Sequence, residues 1–139
     1  MFLLDTDVIS NVVIKNPSPR LLGKLDETPK DALFTTVINI AEILYGTARV
    51  PHGNRMLAVY REKVFPNLTI LPFDLESAEI YGPLRADLEK KGLSKSDPDL
   101  MIAAIALRNN LTLVSGKARH FAGIPRLRCE DWIGLSERK

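Results

Sequence analysis

The sequence has a single cysteine, Cys129, and no long apolar run. One cysteine excludes a disulfide framework within the chain and favours a reducing, cytoplasmic location. The apolar start covers only residues 1–4, has no basic segment before it and runs into Asp5, so we expect neither a signal peptide nor a membrane span. No Gly-rich phosphate loop of the G-x-x-x-x-G-K-[ST] type is present, which argues against a nucleoside-triphosphate enzyme.

The composition is that of an ordinary globular protein. The chain has 139 residues, of which 45% are hydrophobic and 26% charged. This length and balance predict one domain over residues 1–139, with no repeat, linker or low-complexity tract. The net charge of +2 is only weakly basic, so it says little about a nucleic-acid partner.

Apolar β-prone runs alternate with helical patterns along the chain. Strands are predicted at residues 2–4, 32–37, 68–73 and 111–114, with a fifth at an edge near 127–129. Helices are predicted around residues 6–13, 21–25, 38–49, 54–64, 75–91 and 97–108. This order predicts an α/β layered fold with a mainly parallel sheet of four to five strands.

Three acids occupy places where an acid is hard to explain locally. Asp5 ends the apolar start, Glu42 interrupts the apolar segment 37–46, and Asp99 heads the apolar segment 99–107. Burying a carboxylate is costly unless a partner or a metal compensates it. Ligands of parallel sheets bind beyond the carboxyl ends of the strands, where these acids could converge. If the fold gathers them, they form an oxygen-ligand site suited to Mg²⁺ or Mn²⁺.

Four segments resemble the motifs of PIN-domain ribonucleases, most closely the VapC-type toxins of bacterial toxin–antitoxin pairs. They are residues 3–10 (LLDTDVIS), 40–46 (IAEILYG), 97–104 (DPDLMIAA) and 113–121 (LVSGKARHF), the last followed by Pro125, Leu127 and Trp132. The resemblance implies a three-layer α/β/α fold and metal-dependent cleavage of RNA. It also implies a homodimer and neutralisation by a cognate antitoxin protein, as in a type II toxin–antitoxin system.

On this resemblance Asp5, Glu42 and Asp99 are the catalytic residues and ligands of one or two Mg²⁺ ions, with Mn²⁺ as a substitute. Each has a plainer alternative. Asp5 could be a strand-end aspartate bonded to backbone, and Asp99 would be favourable in the first turn of a helix through the dipole alone. Glu42 has no basic neighbour three or four residues away, so a local ion pair does not explain it.

Four further residues have secondary roles. Thr6 could start a helix or bond a ligand, and Asp97 is predicted to cap the helix that Pro98 opens. Ser115 could reach the site or simply turn the chain. Lys117 stands where the resemblance leads us to expect an Asp or Asn, so a fourth acid is missing; its ammonium could pair with the acids or point away.

The favoured function is hydrolysis of an RNA phosphodiester, with single-stranded RNA the easier substrate. The alternative is a catalytically weakened PIN domain that acts mainly in binding or assembly, which Lys117 favours. A basic run could bind RNA or be a solvated face; it comprises Arg49, His52, Arg55, Arg61 and Lys63. Apolar side chains of the first two helices are predicted to supply the dimer and antitoxin surface; they include Val12, Val13, Leu21 and Leu22.

Overall fold

The computed structural model of the chain describes residues 1–134. Within this range the strands are β1 (Phe2–Leu4), β2 (Leu33–Thr36), β3 (Thr69–Leu71), β4 (Thr112–Val114) and β5 (Cys129–Glu130). The α-helices of the same range are α1 (Thr6–Val13), α2 (Pro19–Glu27), α3 (Val37–Ala48), α4 (Gly53–Val59), α5 (Leu75–Lys90) and α6 (Asp97–Arg108). The predicted order of alternating strands and helices is therefore confirmed.

The sheet of residues 1–134 has the strand order β3-β2-β1-β4-β5, and every neighbouring pair is parallel. The chain builds outward from β1 through β2 and β3, then returns to the other side of β1 to add β4 and the edge strand β5. The strand order thus reverses between β1 and β4. Such a switch point opens a crevice at the carboxyl ends of the two strands, which is where ligands of open parallel sheets bind.

Side chains of the central strands alternate between two cores, one on each face of the sheet. Leu3 and Leu113 pack with residues of α5 and α6, such as Leu88 and Ile102. Leu4 and Val114 pack on the opposite face, with residues of α1 and α2. Successive strand residues point to opposite faces, so two covered faces explain why these strands are apolar throughout. The predicted three-layer α/β/α arrangement is confirmed.

Two sequence predictions are corrected by the fold. The predicted helix through Val64 is interrupted, because α4 ends at Val59 and continues as a π-helical turn, Tyr60–Val64. Leu21 is fully buried in the core that contains Leu4 and Val114, so it cannot contribute to an interaction surface, whereas Leu22 is 43% exposed.

None of the helices in residues 1–134 combines the length and apolarity needed to cross a membrane.

Candidate active site at the carboxyl edge of the sheet

Asp5 is the polar centre of the crevice between β1 and β4. Its backbone N–H donates to the carbonyl oxygen of Val114 at 2.9 Å, which holds the ends of the two strands together. The whole residue is only 1% exposed. Oδ1 accepts from the backbone N–H of Thr6 at 2.8 Å and the side-chain amide of Asn39 at 3.1 Å, and Oδ2 accepts from the hydroxyl of Ser115 at 2.8 Å. Asp5 is therefore also the cap of α1, and its hydrogen bonds offset the cost of burial.

Glu42 reaches the same place from α3. It lies in the second turn of that helix, as predicted, and its Oε1 accepts from the Thr6 hydroxyl at 2.6 Å. Thr6 is the first residue of α1, directly after Asp5, and α1 packs against α3. Thr6 therefore bonds two acids that are far apart in sequence, Asp5 through its backbone N–H and Glu42 through its hydroxyl.

Asn39 is a site residue outside the predicted set. It lies one turn before Glu42 and is fully buried. Its amide donates to Asp5 Oδ1 and to Thr6 Oγ1, the latter at 3.0 Å. A signal was present in the sequence, because Thr36 and Asn39 have the spacing of a capping box, and the structure forms one. An amide inside an otherwise apolar helix also needs partners, and here the acids supply them.

Ser115 enters the site from the end of β4, as one of its two sequence interpretations expects. It is fully buried, and its hydroxyl accepts from the backbone N–H of Lys117 at 3.0 Å while donating to Asp5. The Lys117 side chain is exposed and makes no ion pair with residues 1–134. The backbone of Lys117 thus belongs to the hydrogen-bond network, whereas its ammonium does not.

Asp7 also lies at this edge, although it is outside the predicted set of site residues. Its Oδ2 accepts from the backbone N–H of Gly116 at 2.9 Å. Its Oδ1 is buried and finds no hydrogen-bond partner in the described part of the chain. Burial, followed by the negative charge of Asp5, raises the pKa of Asp7 to about 6, against the opposing influences of Lys117 and the Gly116 N–H.

Asp99 and Asp97 occupy the first turn of α6, and their surroundings differ from those of Asp5. The helix cap is Ser96, whose hydroxyl accepts from the Asp99 N–H at 3.3 Å, so the predicted capping role of Asp97 is wrong. Asp97 instead accepts from the hydroxyl of Tyr81 and pairs with Arg85, both at 3.0 Å. The Asp99 carboxylate is partly buried and contacts no hydrogen-bond donor or cation of residues 1–134. Because α6 runs back to the start of β4, its first turn lies at the carboxyl edge of the sheet.

Comparison with known proteins identifies this arrangement. The family model described as the PIN domain matches residues 2–126. The chain belongs to the PIN domain family. It is 30% identical over 132 residues to Ribonuclease VapC2 of Haemophilus influenzae, covering 95% of this chain and 98% of that protein. It is 32% identical over 131 residues to the tRNA(fMet)-specific endonuclease VapC of Salmonella typhimurium, covering 94% and 97%.

A solved structure supports the same assignment. VapBC2 from Rickettsia felis, bound to a DNA fragment from its promoter, contains a chain that matches with a TM-score of 0.83 and 29% sequence identity. The match covers 94% of this chain and 98% of that one. The layered fold and parallel sheet described above are therefore those of a PIN domain.

The donor set of this PIN domain suits a hard divalent cation. All the side chains that meet at the crevice offer oxygen, apart from the Asn39 amide. Within residues 1–134, no three Asp, Glu, His or Cys side chains are grouped so that they could hold one metal ion. Mg²⁺, however, is usually held by one or two carboxylates together with waters and substrate phosphates. The joined pair Asp5 and Glu42 fits that kind of site, with Asp99 as a further acid at the same edge.

A cleft of about 280 Å³ opens beside the acid pair of the PIN domain. Thr6 and Glu42 lie at one end of the lining, and Val50, His52 and Met56 lie further along it. The basic run is divided between surfaces, because Lys63 instead lines a separate apolar cavity. His52 is thus a residue of the run that shares a cleft with Glu42.

Proposed function

We propose that this chain is a magnesium-dependent endoribonuclease and the toxin component of a type II toxin–antitoxin pair. The observation that carries the proposal is the pair of carboxylates, Asp5 and Glu42, joined through Thr6 and Asn39 at the switch point of a PIN fold. The names of the two relatives, a ribonuclease and a tRNA-specific endonuclease, support RNA as the substrate class.

In this proposal Asp5 and Glu42 hold the cation, Mg²⁺ or its substitute Mn²⁺, and Asp99 joins them as a third acid. A bound divalent cation supplies Lewis-acid chemistry, which activates a water for in-line attack and neutralises charge on the phosphate. The protein holds its acids in place beforehand: Asn39, Ser115 and the Thr6 N–H fix the Asp5 carboxylate. Such preorganisation lowers the reorganisation cost during the reaction.

The cleft beside Glu42 gives the RNA a path to the acids. His52 lines it together with apolar side chains, and Arg55 lines the adjoining depression with His52 and Val59. Cationic side chains near the path would neutralise phosphates, so binding should weaken as salt rises. Unpaired RNA fits this path better than a duplex, because its backbone can bend into the crevice.

The test is cleavage of an end-labelled single-stranded RNA by the purified chain in Mg²⁺, in Mn²⁺ and in EDTA. We expect cleavage in both metals and none in EDTA. A matched control is Thr28→Val, since Thr28 is a half-buried threonine outside the lining of this cleft, and its hydroxyl donates to the Lys24 carbonyl of α2. That variant should cleave like the native chain. Cleavage that persists in EDTA would contradict metal dependence.

The second candidate is a weakened PIN domain that binds RNA or a partner without efficient cleavage. Lys117 is the observation that favours it, because its positive charge lowers the pKa of Asp7 and so acts at the acid edge, where it opposes a cation. A chain that binds the RNA in a filter assay yet leaves it intact in Mg²⁺ would support this candidate over the first.

We further propose an antitoxin partner and a homodimer. The VapBC2 complex of Rickettsia felis supports the antitoxin. For the dimer, the outer face of α3 is a better surface than the first two helices, because it exposes Val37, Leu44 and Tyr45, the last of them 64% exposed. Light scattering at tens of micromolar should show a dimer for the native chain and a monomer for Tyr45→Glu, with Leu75→Glu as the exposed control. A native monomer would contradict the dimer.

A further inference from the structure

The polarity of the hydrogen bonds around Asn39 is fixed at both ends. Its Oδ1 faces the Thr36 backbone N–H at 3.3 Å and the Thr36 hydroxyl at 2.7 Å. Its Nδ2 faces the carboxylate Oδ1 of Asp5. A backbone N–H can only donate and a carboxylate can only accept, so the amide has one permitted orientation, with its NH₂ group directed at Asp5 and Thr6.

This orientation determines what the Thr6 hydroxyl can do. The second amide hydrogen of Asn39 is donated to Thr6 Oγ1 at 3.0 Å, so that oxygen is already an acceptor. The single hydroxyl hydrogen is then free for Glu42 Oε1, which it reaches at 2.6 Å. Asn39 thereby holds Asp5 directly and Glu42 through Thr6. In each of these bonds the carboxylate oxygen is the acceptor.

The other side of Asp5 repeats the pattern. The Lys117 N–H is donated to Ser115 Oγ, which leaves the Ser115 hydroxyl hydrogen for Asp5 Oδ2. Two hydroxyls therefore behave alike. Ser115 accepts from the Lys117 N–H and donates to Asp5, and Thr6 accepts from the Asn39 amide and donates to Glu42. On the Ser115 side the donor is the backbone N–H of Lys117, which only a substitution to proline would remove. On the other side it is the Asn39 side chain, which can be changed.

We propose that Asn39 is a positioning residue, which orients the carboxylate of Asp5 by donating one amide hydrogen to it and that of Glu42 by donating the other to Thr6. The inference rests on the proposed function, since it assigns Asn39 a task in the same metal-dependent site. It goes further in assigning the orientation of two acids to one fully buried side chain. Loss of an outer partner of a metal ligand typically costs about 10- to 100-fold in metal affinity or activity.

The test uses Asn39→Leu, which removes the donors without adding charge, and Asn39→Asp, which keeps the shape but replaces the donors with an acceptor. We expect kcat for RNA cleavage to fall about 10- to 100-fold in both, with KM for the RNA unchanged. Mn²⁺ titrated alone by calorimetry should bind about tenfold or more weakly to Asn39→Leu. A merely structural role would lower the melting temperature but leave kcat and Mn²⁺ affinity of the folded protein as they are.

Thr6→Val breaks the relay, which is the pair of hydrogen bonds from Asn39 through Thr6 to Glu42, and leaves the direct bond from Asn39 to Asp5. It also serves as the second variant if Asn39→Leu does not fold. It keeps the side-chain shape but cannot pass a hydrogen bond to Glu42. We expect its kcat to fall as well, and the loss in the double variant to be smaller than the product of the two single losses, because the residues act in one chain. Independent, multiplicative losses would overturn the relay, and a native kcat in folded Asn39→Leu would overturn the positioning role.

These outcomes can be distinguished from failure of the proposed function. If the native chain cleaves no RNA in either metal, the proposed function fails, and the Mn²⁺ titrations still decide whether Asn39 orients the acids. If the native chain cleaves and Asn39→Leu cleaves equally well, the function stands and the inference fails. Thr28→Val again serves as the matched control for loss of a half-buried threonine hydroxyl outside the cleft beside Glu42.

Discussion

The Asp5 and Asp99 sides of the candidate site differ in how their carboxylates are held. Asp5 is 1% exposed and accepts three hydrogen bonds, from groups that belong to α1, α3 and the end of β4. Asp99 is partly buried, and its carboxylate has no donor or cation among residues 1–134. Both acids lie at the carboxyl edge of one sheet, so sheet topology alone does not account for the difference.

The contrast separates a carboxylate that is hydrogen-bonded within the fold, that of Asp5, from one that has no protein donor among residues 1–134, that of Asp99. A buried carboxylate must be satisfied by the protein itself, so Asp5 is a structural residue as well as a candidate ligand. An acid such as Asp99, which satisfies no protein donor, keeps its lone pairs for a ligand or for water. The stability of the two sides should therefore respond very differently to the same substitution.

The largest expected effect comes from comparing Asp5→Ala with Asp99→Ala. Asp5→Ala removes the cap of α1 and leaves the donors of Asn39 and Ser115 unpaired, so we expect a loss of about 3 kcal/mol in the free energy of unfolding. Asp99→Ala should change it by only about 0.5 kcal/mol, the contribution of a first-turn acid to the helix dipole. Urea unfolding of both variants in EDTA measures the difference.

The loss of RNA cleavage in Asp5→Ala and Asp99→Ala should not parallel their loss of stability. If both acids bind the cation, each folded variant should lose more than the roughly 10- to 100-fold expected for an outer partner. Asp99→Ala is the sharper case, because its activity loss would occur without a stability loss. Native cleavage by Asp99→Ala would reduce the site to Asp5 and Glu42, and equal destabilisation of the two variants would break the comparison.

The fold could be predicted from the sequence because its signals are local and repeated. The apolar run of residues 2–4 and the helical spacing of Val8 and Ile9 each point to one element, and the alternation of elements points to a parallel sheet. The π-helical turn Tyr60–Val64 could not be predicted, because Met56, Val59, Tyr60 and Val64 have the spacing expected for one continuous α-helix. Tertiary packing decides between the two.

The site was harder to predict because hydrogen-bond partners are not adjacent in sequence. Asp5, Glu42 and Ser115 follow from motif and position, and the structure brings them together. For Asn39 the sequence indicates only a capping box with Thr36, and the approach of α1 to α3 gives its NH₂ group the partners Asp5 and Thr6. For Asp97 the sequence predicted a capping role that the structure gives to Ser96. Both are good capping residues, and the sequence alone does not choose between them.

A smaller effect should follow from the charge at position 117. Lys117 is exposed, yet its positive charge lowers the pKa of Asp7, so its field reaches the acid edge. Lys117→Asp should raise Mg²⁺ affinity and cleavage together, by up to about tenfold, which corresponds to about 1.4 kcal/mol. Arg119→Asp is the matched control, because Arg119 is an exposed cation of the neighbouring 3₁₀ turn.

Calorimetry and cleavage rates decide whether position 117 is special. A gain that is larger for Lys117→Asp than for Arg119→Asp assigns the effect to a carboxylate at this place. Equal gains in the two variants would mean that only the overall charge of the edge matters. No change in either variant would place the ammonium of Lys117 too far into solvent to influence the cation.

The smallest expected effect concerns Asp7, which is intermediate between the two sides because one carboxylate oxygen is bonded and the other is orphaned. Its pKa is raised to about 6, mainly by burial and then by Asp5, so the folded state binds its proton more tightly than the unfolded state does. The stability contributed by that proton is complete below the ordinary aspartate pKa and is lost as the pH rises through about 6. We expect native stability in EDTA to fall by on the order of 1 kcal/mol from this source between about pH 4 and pH 7, allowing for partial screening.

Asp7→Asn should remove this slope while keeping an acceptor for the Gly116 N–H. Lys117→Gln should move the loss to higher pH, because the lysine charge lowers the Asp7 pKa. Urea unfolding across this pH range measures all three proteins, and parallel curves for the native chain and Asp7→Asn would show that the orphaned oxygen reaches solvent.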